Sequence, residues 1–133
     1  MQALANSGLT QYPDKKLYKA ATLLTPEERP KVPVKTMDLP NDDLLEGKFD
    51  KDKHEIRVNR SSSYYKKKDP ALLAAALAHE AEHARRVGQP DELAEAPAYQ
   101  RQLDVLKRLN YKDERFMNAL RLQIEAMTKQ EKK

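Results

Sequence analysis

"DPALLAAALAHEAEHARRVGQP", residues 69–90, decides how the rest of the chain is read. Asp69 is a side-chain cap for a helix start, and Pro70 suits the first helical position, where its missing N–H costs nothing. The run from Ala71 to Val87 is rich in alanine and leucine, the strongest helix formers. Gly88 is expected to supply a left-handed stop, and Pro90 prevents continuation. Arg85 and Arg86 fall in the last turn, where cations suit the helix dipole. Because "ALLAAALA" is apolar on every side, this helix is expected to be buried. It also contains His79, Glu80 and His83 in the pattern H-E-x-x-H, using two of the three histidines in the chain.

Working outward, the downstream sequence predicts two more helices. One covers Asp91 to Leu109, with Leu93, Tyr99, Leu103 and Leu106 as buried positions. Pro97 is expected either to delay its start to about Glu95 or to kink it. The other begins at Asp113 and carries the apolar stripe Phe116, Leu120, Ile124 and Met127. Upstream, "DKKLYKAATLL" places Leu17, Ala21 and Leu24 at helical spacing over Asp14 to Leu24. "TPEE" reads as a capping box, with Thr25 as cap and Glu28 three residues on. Pro30 and Pro33 then limit the chain to a turn and an extended piece with Val32 and Val34 on one face. Between Leu44 and Arg60 the period becomes that of two strands around the polar turn "DKDK". In the second, Ile56 and Val58 alternate with Glu55, Arg57 and Asn59, the mark of a half-buried strand. The expected fold is α+β: a short antiparallel sheet packed on the helix that carries the motif, followed by C-terminal helices.

Length and composition set the outer limits. At 133 residues the chain is expected to form a single domain over 1–133, either free-standing or excised from a larger protein. It is 39% apolar and 35% charged, with no tryptophan. With no cysteine, thiolate chemistry is excluded and any metal ligand must be His, Asp or Glu. "MQALANSGLTQYP" has no basic region followed by an apolar stretch, and "ALLAAALA" is too short to span a bilayer. The expectation is a cytoplasmic product, or a domain of a larger or exported protein, with no membrane partner. The net charge of +4 is dispersed. Only "SSSYYKKK" combines aromatics with a basic run; it is read as a solvated loop, and nucleic-acid binding is not expected.

At 100° per residue, His79 and His83 project from one helix face a turn apart, so both imidazoles can reach one ion. Glu80 lies beside that face. The expected division of labour is that His79 and His83 hold Zn²⁺, which lowers the pKa of its water, while Glu80 takes a proton as that water attacks a carbonyl. The bland alternative is a pair of surface histidines flanked by Glu80 and Glu82 for solubility. Against it, a helix this apolar should be buried, and buried imidazoles need partners. A catalytic zinc needs a third protein ligand. No histidine follows His83, which leaves the carboxylates Asp91, Glu92, Glu95 and Asp104.

At this point the chain resembles the gluzincin metallopeptidases, in which H-E-x-x-H is followed by a ligand glutamate on the next helix. "EAPAY", Glu95 to Tyr99, is similar to their E-x-x-A segment, and the hairpin "GKFDKDKHEIRVN" is similar to the upper sheet of the minigluzincins. The resemblance covers roughly Val32 to Leu109. It implies a small zincin-like domain, a zinc ion on His79, His83 and Glu95, Glu80 as the catalytic base, and a peptide or protein substrate running along an edge strand. Two departures stand out. Many gluzincins carry an aspartate four residues after the ligand glutamate to steady a histidine ligand; here that position is Tyr99, whose hydroxyl could accept the imidazole N–H. Pro97 also disturbs the helix that should present Glu95, which keeps Glu92 open as the ligand.

The candidate donors for the transition-state oxyanion are His54, Tyr64, Tyr65 and Tyr111, among which the sequence does not choose; each is more simply a surface or packing residue, and His54 a solvated residue at a strand end. The leading expectation is therefore a zinc metallopeptidase. The alternative is a non-catalytic, zinc-stabilised module of a larger phage or toxin assembly. Neither reading sets an oligomeric state.

Overall fold

The computed structural model describes residues 12–41, 46–67 and 69–131, with the side chains of Asp91, Glu92, Gln130 and Glu131 outside that description. Among the described residues there are five helices and three strands. In chain order they are α1 (Lys15–Thr22), β1 (Val34–Met37), β2 (Gly47–Asp50), β3 (Glu55–Asn59), α2 (Ser63–Lys66), α3 (Pro70–Arg85), α4 (Asp91–Arg108) and α5 (Glu114–Glu131). The α+β expectation holds, and no helix is long and apolar enough to cross a membrane.

Helix α3 is the centre of the molecule. The Asp69 carboxylate accepts from the Ala71 N–H at 2.9 Å, and every residue from Ala71 to His79 is buried. Helices α1 and α4 and the sheet pack around it. The expected left-handed stop at Gly88 does not occur. The helix ends at Arg85, and Arg86, at φ −108° and ψ 30°, shares its N–H between the Glu82 and His83 carbonyls. A Gln89 N–H to Arg86 C=O bond closes the turn before Pro90, so the reversal needs no left-handed residue.

Helix α4 runs unbroken from Asp91 through Pro97. The proline removes the N–H that would reach the Leu93 carbonyl, near the helix start and on its solvent side, where Leu93 is 47% exposed. Leu93 was expected inside. The stripe that packs is instead Ala94, Ala98, Gln102 and Val105, all buried. Small side chains on α3 and α4 let the two axes come close, and a leucine one position off that stripe is turned out. Leu103 and Leu106 are buried as expected, and Tyr99 packs half-buried against the core. In α5, Asp113 accepts from the Phe116 N–H at 3.1 Å, and Met117 joins Leu120 as the buried pair while Phe116 and Ile124 pack partly exposed.

The sheet is mixed rather than antiparallel. β2 and β3 form the expected hairpin, with Gly47 opposite Val58 and Asp50 opposite Glu55, but β1 lies parallel to β3 on its other side, with Val34 opposite Ile56. Within the hairpin turn, Asp50 accepts from the N–H groups of Asp52 and Lys53, and His54 adopts φ 56°. Leu44, where the first strand of the pair was expected to begin, lies outside the described residues. A Cβ on Gly47 would stand 2.8 Å from the Arg57 carbonyl oxygen, so only glycine fits this pairing. β3 is buried on both faces: Ile56 and Val58 join the core, while Glu55 is held by Arg57 at 2.9 Å and Asn59 is fully enclosed. Asn59 Oδ1 accepts from the N–H groups of Leu39 and Ser61, each at 3.0 Å, and its amide donates to the Leu39 carbonyl. Asn59→Ala would strand two backbone donors inside the protein. It is expected to lower the unfolding free energy by about 2–3 kcal/mol, measured by urea denaturation.

Before the sheet, α1 buries Leu17, Ala20 and Ala21, with Asp14 as its side-chain cap at 2.9 Å. The "TPEE" capping box forms both reciprocal bonds, Thr25 N–H to Glu28 Oε1 at 2.8 Å and Glu28 N–H to Thr25 Oγ1 at 3.3 Å. It caps a single turn and no helix, because Pro30 follows too soon. Glu28 is buried and paired with Arg108 of α4, which also donates to the Leu23 carbonyl.

"SSSYYKKK" is not a solvated loop. Ser62 is buried and caps α2, Tyr65 donates its hydroxyl to Asp14, and Tyr64 stacks near Phe116 with centroids 6.0 Å apart. The aromatics are turned inward, leaving Lys66 and Lys67 exposed. Burial pushes the Tyr12 phenol up to about 12, opposed by Arg29; burial and the bond to Asp14 likewise lift Tyr65 to about 12. These phenols favour the neutral form when folded. Their contribution is therefore fully present below the ordinary phenol value of 10.0 and is lost as pH rises through 12. Cooperative unfolding is expected inside that window, visible as near-UV circular dichroism and phenolate absorbance changing together.

Candidate metal centre

The helical spacing of His79 and His83 brings their rings to 5.1 Å between centroids on one face of α3. The short turn from Arg86 to Pro90 folds α4 back across that face, and its second turn delivers Glu95. Glu95 Oε1 lies 2.5 Å from His83 Nε2 and 3.4 Å from His79 Nε2. One donor atom from each of the three residues lies within 4.8 Å of the others. Two ligands about 2.0–2.1 Å from a tetrahedral zinc stand roughly 3.3 Å apart, which the His79–Glu95 separation matches; the His83–Glu95 separation is that of a direct hydrogen bond. The nearby imidazoles, His79 first and His83 second, hold the Glu95 carboxyl well down, at about 2, against the opposing effect of burial. It is a carboxylate throughout the range in which a metal would bind.

Pro97 does not displace Glu95, since α4 continues through it. Asp104 is exposed on another face, bonded to Gln100 at 2.9 Å. The side chains of Asp91 and Glu92, the other carboxylates that the sequence allows, lie outside the described residues.

Glu80 stands beside the cluster, half-buried, with Oε2 4.0 Å from His79 Nε2. Glu82, by contrast, has turned away into a structural ion-pair group with Arg85, Arg86 and Arg101 at 2.7–3.4 Å. Burial alone would raise the Glu82 carboxyl, but the three guanidinium groups outweigh it and hold it below the ordinary value. The two acidic residues of the motif therefore do different things: one faces the cleft and one ties down the end of α3.

The cleft measures about 680 Å³. One wall is β2 with Glu46, the floor is α3 at Ala76, His79, Glu80 and His83, and the far side is α4 with Phe116 and Leu120 of α5. β2 is an edge strand of the sheet. Of the four oxyanion-donor candidates only Tyr64 lines the cleft. Tyr65 is engaged with Asp14 and Tyr111 packs on Phe116, while His54 is exposed with its ring edge-on to Phe49.

The partner of the His79 imidazole also differs from expectation. Tyr99 meets it ring to ring, edge-on at 4.5 Å. The polar partner is Gln102, whose Oε1 lies 2.9 Å from His79 Nδ1. Gln102 was not singled out from sequence, although a signal existed: it stands seven residues after Glu95, on the same helix face, as an amide within an otherwise apolar stripe.

Compared with family models, with curated proteins and with solved structures, the chain finds no match.

Proposed function

We propose that this protein is a zinc-dependent metallopeptidase of the gluzincin type, with His79, His83 and Glu95 as metal ligands and Glu80 as the catalytic base. The observation that carries the reading is the convergence of two imidazoles and an ionised carboxylate from two helices, at the floor of a cleft that also contains Glu80. The donor set fits zinc: no sulfur is present, and two nitrogens with one oxygen is a set that catalytic zinc sites use.

A bound zinc ion supplies Lewis acidity, which makes water nucleophilic near neutral pH and polarises the scissile carbonyl. The chain does the rest. Glu80 accepts the proton of the attacking water and donates it to the leaving amine. The edge of β2 offers its N–H and C=O groups to an extended peptide, which would lie across the cleft as an added strand. Glu95 balances part of the ion's charge, and α3 keeps the two imidazoles a turn apart.

A non-catalytic metal cross-link between α3 and α4 takes support from the same three ligands, since they join the two most intimately packed helices. It gives no account of Glu80 at the cleft floor.

The test is to load the purified protein with Zn²⁺, remove excess, count the metal by elemental analysis, and follow cleavage of a random peptide library by mass spectrometry. About one zinc per chain with cleavage that stops on chelation is expected. No retained zinc would overturn the reading, and zinc without cleavage would leave the cross-link.

A further inference from the structure

The residue facing the back of His79 is an amide, and its contacts run in two directions. Gln102 is buried at the α3–α4 contact; Oε1 lies 2.9 Å from His79 Nδ1 and Nε2 lies 3.5 Å from the Tyr64 hydroxyl. His79 is itself buried, at the floor of the cleft. An imidazole that is neutral carries one proton, and whichever nitrogen holds it is decided by what the other nitrogen meets. Gln102 Oε1 and the Glu95 carboxylate compete for the single proton of a neutral His79, and the nearer acceptor is Gln102, at 2.9 Å from Nδ1 against 3.4 Å from Nε2; a proton on Nδ1 leaves the Nε2 lone pair facing Glu95.

We propose that Gln102 is a positioning residue for the metal centre, holding His79 in the Nδ1–H tautomer so that Nε2 is presented as a ligand, with Tyr64 anchoring the far end of the amide. This rests on the metal reading above, but its first consequence belongs to the metal-free protein. An amide is a weaker and uncharged acceptor than a carboxylate, so it orients the ring without adding a negative charge behind it. Among the three ligands and their outer partner, only Glu95 then sets a charge against the ion. A carboxylate at position 102 should hold metal more tightly than the amide does, and a group that cannot accept a hydrogen bond should hold it less tightly.

Gln102→Leu keeps the side chain's size and removes its acceptor; Gln102→Glu keeps the acceptor. Three readouts separate positioning from mere packing: the His79 tautomer by long-range ¹H–¹⁵N NMR on the metal-free protein, zinc affinity by chelator competition, and thermal midpoint without metal. The wild type should show the Nδ1–H form. Gln102→Leu should lose it and bind zinc about 10–100-fold more weakly, the range found for outer partners of metal ligands. Gln102→Glu should bind at least as tightly as the wild type. An Nε2–H tautomer in the wild type, or an unchanged affinity in Gln102→Leu, would overturn the proposal. So would a loss of affinity in both variants that follows their loss of thermal stability. A wild type that binds no zinc sinks the metallopeptidase reading, while the NMR result still judges what Gln102 does to His79.

Discussion

Glu80→Gln is expected to keep about one zinc per chain and to lower peptide hydrolysis by about 10²–10⁴-fold, the usual contribution of a positioned acid–base group. The reasoning is geometric. Glu80 lies one residue from His79, so its side chain is rotated off the ligand face and ends 4.0 Å from His79 Nε2, near the cluster but outside it. Glutamine has the same shape and leaves no cavity, so the fold and the three ligands should be untouched. What it lacks is basicity. Metal analysis of the variant beside its rate of cleavage of a fluorogenic peptide provides the check. Full retention of hydrolysis would remove Glu80 from the mechanism. Loss of the metal would make it a ligand instead.

Glu95→Ala is expected to weaken zinc binding by more than the 10–100-fold typical of an outer partner, because it removes one of the three proposed direct ligands. Two neutral imidazoles on one helix then remain to hold a divalent ion. For the wild type at a free zinc concentration of about 100 times Kd, ligand linkage adds roughly 2.7 kcal/mol, which for a chain of this size raises the thermal midpoint by on the order of 10 °C. That shift should vanish in Glu95→Ala. Glu95→Gln separates charge from size: the carboxyl is held at about 2, so at neutral pH the comparison is between a full negative charge and none. Differential scanning fluorimetry across a zinc series reads all three proteins. An undiminished shift in Glu95→Ala would move the third ligand to Glu92.

Most of the centre was legible in the chain because it is local. His79, Glu80 and His83 lie within five consecutive positions of one helix, and that helix is announced by its own cap, its proline and its alanines. Glu95 came from a resemblance over a short stretch, and the expected disturbance at Pro97 did not materialise because its lost hydrogen bond falls near the helix start, on the solvent side. Gln102 was missed for the opposite reason. Its one mark in sequence is an amide within an apolar stripe, and its importance exists only because α4 lies across α3 with Ala94, Ala98 and Gln102 facing inward. The same packing turned Leu93 outward, where hydrophobicity alone placed it inside. Tyr64, which reads in sequence as part of a polar, basic run, enters the cleft because Ser62 caps α2 and aims it there.

What the sequence determined by itself was most of the elements, α2 excepted, and the shared helix face of the motif: caps, breakers and apolar periods act over a few residues, and so does the i, i+4 spacing that pairs His79 with His83. What only the tertiary structure decided was which elements meet. β1 joins β3 in parallel on the far side from β2, which leaves β2 as the edge beside His79, His83 and Glu95. No local pattern encodes that order. It follows from Asn59 fastening the chain beyond β1 to the end of β3 across twenty residues, and from Val34 and Ile56 sharing one core with α3.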